Sequence, residues 1–113
     1  MSTRDYSYEQ EKRIAKKLGG KVVANSGGTR FGAGDVLTDT FLIEAKTSTT
    51  DKNSFSVKKE WIIKAKEQAF EQGKSNFAIA INFGSGSDFY IIDERLFKEL
   101  LYHMEKELDD YDC

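Results

Sequence analysis

The chain of 113 residues contains no proline, one cysteine, one histidine and one tryptophan. The cysteine, Cys113, is the final residue, so no internal disulfide can form and a reducing, cytoplasmic setting is expected. His103 has no second histidine or cysteine beside it, which leaves a zinc site without ligands. The longest apolar runs are four or five residues, too short to cross a membrane. The opening Met-Ser-Thr-Arg-Asp-Tyr lacks the apolar core of a secretory signal. Internal repeats, low-complexity tracts and linkers are also missing, and the expectation is one domain over residues 1–113. With 39% hydrophobic and 32% charged residues, such a chain folds around a core.

Charge of one sign is not in excess overall, since the net value is −2. Its distribution is uneven. Residues 1–66 carry 13 Lys or Arg against 8 Asp or Glu, and residues 67–113 carry 4 against 11. A half at +5 can face a polyanion while a half at −7 keeps the protein soluble; the alternative is that the lysines only solvate helix faces.

Periodicity predicts a helix over residues 6–18, stopped by Gly19-Gly20, with Ile14, Ala15 and Leu18 on its buried stripe. A short strand follows at 21–24, then a glycine-rich loop over 25–34. Residues 36–37 and 41–45 form a hairpin around Thr38-Asp39-Thr40. Another short strand is expected at 54–57. A second helix over 58–71 buries Trp61, Ile62, Ala65 and Ala69. The apolar run 76–83 reads as an interior strand, and 89–92 as a further one. Asp93 caps a last helix over 94–108, with Leu96, Phe97, Leu100, Leu101 and Met104 inward. The fold class is therefore α/β or α+β, a central mixed β-sheet flanked by helices.

The hairpin Gly34-Asp35-Val36-Leu37-Thr38-Asp39-Thr40-Phe41-Leu42-Ile43-Glu44-Ala45-Lys46 holds the chemistry. Phe41, Ile43 and Ala45 point to one face of its second strand, and Leu42, Glu44 and Lys46 to the other. Charged groups leaving an interior strand cost several kcal/mol unless paired or bound to a metal. Asp35 begins the antiparallel partner strand, so pairing brings two carboxylates and an ammonium to one point. Carboxylates are hard ligands for Mg²⁺ or Mn²⁺, and a lysine beside them can orient water or stabilise charge on a phosphate.

Asp35, an eight-residue gap and Glu44-Ala45-Lys46 resemble the signature of the PD-(D/E)xK nucleases. Within that superfamily the likeness is greatest to the small archaeal and phage Holliday junction resolvases, and it covers residues 8–92. Their first helix has the form Glu-x-x-Ile-x-x-x-Leu, which Glu11-Lys-Arg-Ile14-Ala-Lys-Lys-Leu18 matches, and Ser26-Gly27-Gly28 resembles their serine-glycine loop. Gly34 replaces the proline that names the motif, at a position that shapes backbone rather than binding metal. The resemblance implies a restriction-endonuclease-like core in the order αβββαβ(β)α, hydrolysis of DNA with Mg²⁺ (Mn²⁺ as substitute), and a homodimer acting on branched or four-way junctions. It further implies a phage or prokaryotic host cell. Asp35, Glu44, Lys46 and Glu11 would be catalytic, with Asp35, Glu44, Glu11 and the Ala45 carbonyl at the metal.

Glu11 has Ile14, Ala15 and Leu18 as helical neighbours, so it lies on or beside the buried stripe. Glu9 faces Lys12, Arg13 and Lys16 and is the substitute if the helix phase differs. Ser26, Thr29 and Arg30, in the glycine-rich loop next to Asp35, are candidates for DNA phosphate, or else belong to an ordinary loop. Lys58 and Lys59 open the second helix, where the helix dipole disfavours cations, and are candidates for phosphate or else solvated surface. Other nucleases on the same core, a catalytically silent DNA-binding module and a protein-interaction domain are the competing functions.

Overall fold

The computed structural model describes residues 3–24 and 34–112. The elements run α1 (Thr3–Leu18), β1 (Lys21–Ala24), β2 (Gly34–Leu37), β3 (Phe41–Thr47), α2 (Lys59–Glu71), β4 (Asn76–Asn82), β5 (Phe89–Ile91) and α3 (Glu94–Asp112). The strands form one mixed sheet in the order β1-β2-β3-β4-β5, antiparallel except for the parallel pair β3–β4, which α2 connects. The protein is thus of the α+β type, with β3 and β4 interior.

Alternation along β3 divides the core into two layers. Ile43 and Ala45 join Val36, Ala78, Ala80 and Ile14 of α1 on one face. Leu42 joins Phe77, Ile79, Ile81 and the α2 residues Ala65 and Ala69 on the other. β4 is buried on both faces, which accounts for its continuous apolar run. Each fully buried Leu or Ile contributes about 1.5–3 kcal/mol.

The turn between β2 and β3 is closed twice. The Thr38 N–H donates to the Phe41 carbonyl at 3.0 Å, and the Phe41 N–H donates to Thr38 Oγ1 at 3.0 Å. Gly19 and Gly73 end α1 and α2 at φ +70°, a conformation that side chains resist. Asp93 caps α3 by accepting from the Leu96 N–H at 2.9 Å.

Three expectations are corrected. Residues 54–57 form no strand: both edges of β3 are taken by β2 and β4, and only Phe55 of this segment packs inward. Its ring stands edge-on to Trp61 and Phe83, with centroids 6.2 and 6.1 Å away. Leu18 is exposed, because α1 ends there beyond the sheet. Among the described side chains of α3 only Leu96 is buried; Phe97, Leu100, Leu101 and Met104 are exposed. With α1 and α2 already on the two faces of the sheet, α3 has no layer left to cover. Among the described residues no helix is long and apolar enough to cross a membrane.

Candidate active site

Val36 pairs with Ile43, so the next residues outward, Asp35 and Glu44, come level on adjacent strands. Val36 and Ile43 face α1, and Asp35 and Glu44 therefore turn to the α2 side. Asp35 is buried. Glu44 Oε1 forms an ion pair with Lys46 Nζ at 3.3 Å, while Glu44 Oε2 is buried and has no hydrogen-bond partner among the described residues. The Lys46 ammonium lies 4.6 Å from the centroid of the Trp61 ring.

Burial, reinforced by the negative charge of Glu44, pushes the Asp35 carboxyl up from 3.8 to about 6. Lys64 and Lys46 oppose that rise without cancelling it. A desolvated carboxyl beside a second carboxylate behaves in this way. The Glu44 and Lys46 side chains open onto a groove of about 440 Å³ between β3 and α2, which Glu60, Trp61, Lys64 and Glu67 also line.

Trp61 packs against the core as its place on the α2 stripe predicts and lines the groove as well, whereas Lys64 was not among the expected site residues. A signal was present: Trp61, Lys64 and Gln68 lie three and four residues apart on α2, on the side that borders the buried Ala65.

On α1, Gln10 is fully buried, a position that escaped notice although it precedes Ile14 by one turn. Its Nε2 donates to the Lys46 carbonyl at 3.3 Å, to the Ala80 carbonyl at 3.4 Å and to Asp88 Oδ1 at 3.1 Å. Asp88 also accepts from Arg13 at 2.8 Å and Asn82 at 3.1 Å. Burial alone would raise the Asp88 carboxyl; the hydrogen bonds from Arg13, Asn82 and Gln10 outweigh it and hold the pKa below 3.8. This network ties α1 to the end of β3 that carries Lys46.

The structure thus brings Asp35, Glu44 and Lys46 together. Glu11 is buried on α1, and Glu9 is exposed in an ion pair with Lys12 at 3.0 Å. Ala45, buried, pairs with Ala80 in the sheet. Lys58 precedes α2 and Lys59 begins it, both exposed, and neither lines the groove. Ser26, Thr29 and Arg30 lie outside the described residues. Among the described residues no three His, Cys, Asp or Glu side chains converge as a ready-made metal cage. Two carboxylates nevertheless suit Mg²⁺, which keeps several waters and takes one or two carboxylates. The partnerless Glu44 Oε2 and the raised Asp35 both fit a cation at that point.

No family model, no curated protein and no solved structure matches the chain.

Proposed function

We propose that this chain is a metal-dependent DNA endonuclease of the PD-(D/E)xK type, built on a restriction-endonuclease-like core and cutting four-way junctions as a homodimer. The observation that supports this reading most is the pair Asp35 and Glu44, level on neighbouring strands, with Glu44 Oε2 buried beside a groove and without a donor among the described residues. A buried carboxylate oxygen without a partner is costly in a purely structural site. A cation removes that cost.

Asp35, Glu44 and the Ala45 carbonyl would hold Mg²⁺ or Mn²⁺. When bound, the ion supplies positive charge for the scissile phosphate and acidifies water. Lys46 projects from the same face as Glu44, and its ammonium is kept at the groove by Glu44 and the Trp61 ring. From there it orients the attacking water and offsets charge on the non-bridging phosphate oxygens. Lys64 adds a second cation on the groove wall. A junction needs two symmetric cuts and one chain offers one such site, so a C₂ pair completes the scheme.

Incubating the protein with a synthetic four-way junction, supercoiled plasmid and linear duplex, with Mg²⁺, Mn²⁺ or EDTA, tests the reading. Paired cuts at the junction, lost in EDTA and in Glu44→Gln, are expected. Cleavage that persists in EDTA would refute a metal-dependent mechanism. Plasmid nicking without junction preference would keep the nuclease and discard the resolvase.

A further inference from the structure

α3 is a helix of 19 residues, on the order of 28 Å long, that leaves the body of the protein. Phe97, Leu100, Leu101, Met104 and Leu108 recur at three- and four-residue spacing and form one stripe along it. These five are between 43% and 67% exposed, and none of them belongs to either core cluster among the described residues. We infer that this stripe is the surface on which a second copy of the chain docks, through an antiparallel α3–α3 pair. The inference specifies the dimer in the proposed function, but its physical basis does not depend on nuclease activity.

Area argues for a second copy. Taking roughly 200 Å² for a large apolar side chain, the stripe exposes on the order of 500 Å² per copy. Two copies can bury up to about 1,000 Å² from these side chains, and the flanking polar residues add to this, which reaches the threshold for a specific interface.

Charge excludes other occupants and sets the direction. α3 carries Arg95, Lys98 and Lys106 against seven acidic residues, a net charge of −4. That balance repels DNA and an anionic lipid surface alike, since interfacial helices carry Lys and Arg on their polar face. A parallel pair would also align Glu105, Glu107 and the acidic residues after them with their own copies. An antiparallel pair avoids this. Lys98 and Glu105 are seven residues apart on one flank of the stripe, so a two-fold axis near residue 102 sets each opposite the other in the second copy. The same axis brings Phe97 to Leu108, and Leu101 to Met104.

Sedimentation of the full chain, without DNA or added metal, reads the assembly directly. Wild type is expected at twice the 12.8 kDa of one chain. Leu101→Glu with Met104→Glu should halve the mass with the circular dichroism of the folded sheet retained. Lys98→Glu should weaken dimerisation about tenfold by turning two attractive flank pairs repulsive, and adding Glu105→Lys should restore it. The charge pair also keeps the test valid if the apolar variant fails to fold. A wild type that sediments as a monomer, a dimer that survives the apolar substitutions, or a charge swap that restores nothing would overturn the proposal. Failure of the nuclease reading is distinguished by the cleavage assay: a monomeric variant that still nicks plasmid with Mg²⁺ separates assembly from chemistry.

Discussion

The Lys46 ammonium stands 4.6 Å from the centre of the Trp61 ring and 3.3 Å from Glu44 Oε1, held between a helix residue and its own strand. An ammonium over an indole face gains about 0.5–2 kcal/mol, so Trp61 helps decide where that charge rests. Lys46 is thereby aimed along the groove instead of trailing into solvent.

On the proposed nuclease mechanism, in which Lys46 acts in the transition state, Trp61→Leu should preserve most of the packing against Phe55 and lower kcat about tenfold with little change in KM. Lys46→Met should lower the single-turnover rate by orders of magnitude with Mg²⁺ affinity retained. If Lys46→Met proves fully active and only less stable, the lysine is a structural partner of Glu44.

Asp35 makes stability depend on pH in an unusual direction. Its folded pKa is raised from 3.8 to about 6, so the folded state holds the proton more tightly than the unfolded chain. The stabilisation is complete below pH 3.8 and lost as pH rises through about 6. Asp35→Asn should therefore stabilise the metal-free protein above pH 6 by on the order of 2 kcal/mol, and give no advantage near pH 4. Mg²⁺ should stabilise wild type and not Asp35→Asn, and cleavage should fade below about pH 6 as protons displace the ion. Denaturant melts at the two pH values, with and without Mg²⁺, check each part. Equal stability of the two proteins at both pH values would remove the carboxylate repulsion from the account.

How the hairpin and the Gln10 network became visible, or did not, follows from the range of the interactions. Asp35, Glu44 and Lys46 were legible because strand alternation and a short turn fix their side chains locally. Gln10 and Asp88 were not, since they meet across 78 positions of sequence. A polar residue on a buried stripe is ambiguous until its partner is known. α3 shows the reverse case: of the stripe expected inward only Leu96 is buried, because periodicity states only that a face wants cover and does not say what covers it. The strand expected at 54–57 failed for a related reason, because propensity cannot show that both edges of β3 are already occupied.

The Gln10–Asp88 tether leads to a prediction about both stability and rate. Asp88→Ala should destabilise the fold by about 1–3 kcal/mol, since it strands the Gln10, Asn82 and Arg13 donors. The Asp88 pKa is depressed, so the stabilisation is present above pH 3.8 and disappears as pH falls through the lower folded value. Gln10→Leu keeps the bulk but releases the Lys46 carbonyl, and should lower kcat more than it lowers thermal stability. An unchanged kcat in a folded Gln10→Leu protein would make the tether purely architectural.

If the chain binds DNA as proposed, the ends of the sheet distinguish two places for the contact. Lys58 and Lys59 stand at the start of α2, next to the Trp61 turn that borders the groove. Lys17 and Lys74 belong to the opposite end: α1 finishes beside it, and Lys74 Nζ reaches the Asp39 carbonyl at 3.4 Å in the β2–β3 turn. Both pairs contribute the same net charge, so a response to global charge alone would treat them alike. Reversal of Lys58 and Lys59 to Glu should weaken binding to every DNA tested. It should also reduce the slope of log affinity against log salt by about 1 for each phosphate that is no longer neutralised. Reversal of Lys17 and Lys74 should leave that slope unchanged and shift affinity only slightly, because screening at physiological salt confines a charge to about 8 Å. Equal weakening by the two double variants would mean that DNA is not held at the groove mouth, and the nuclease proposal would then rest on the hairpin carboxylates alone.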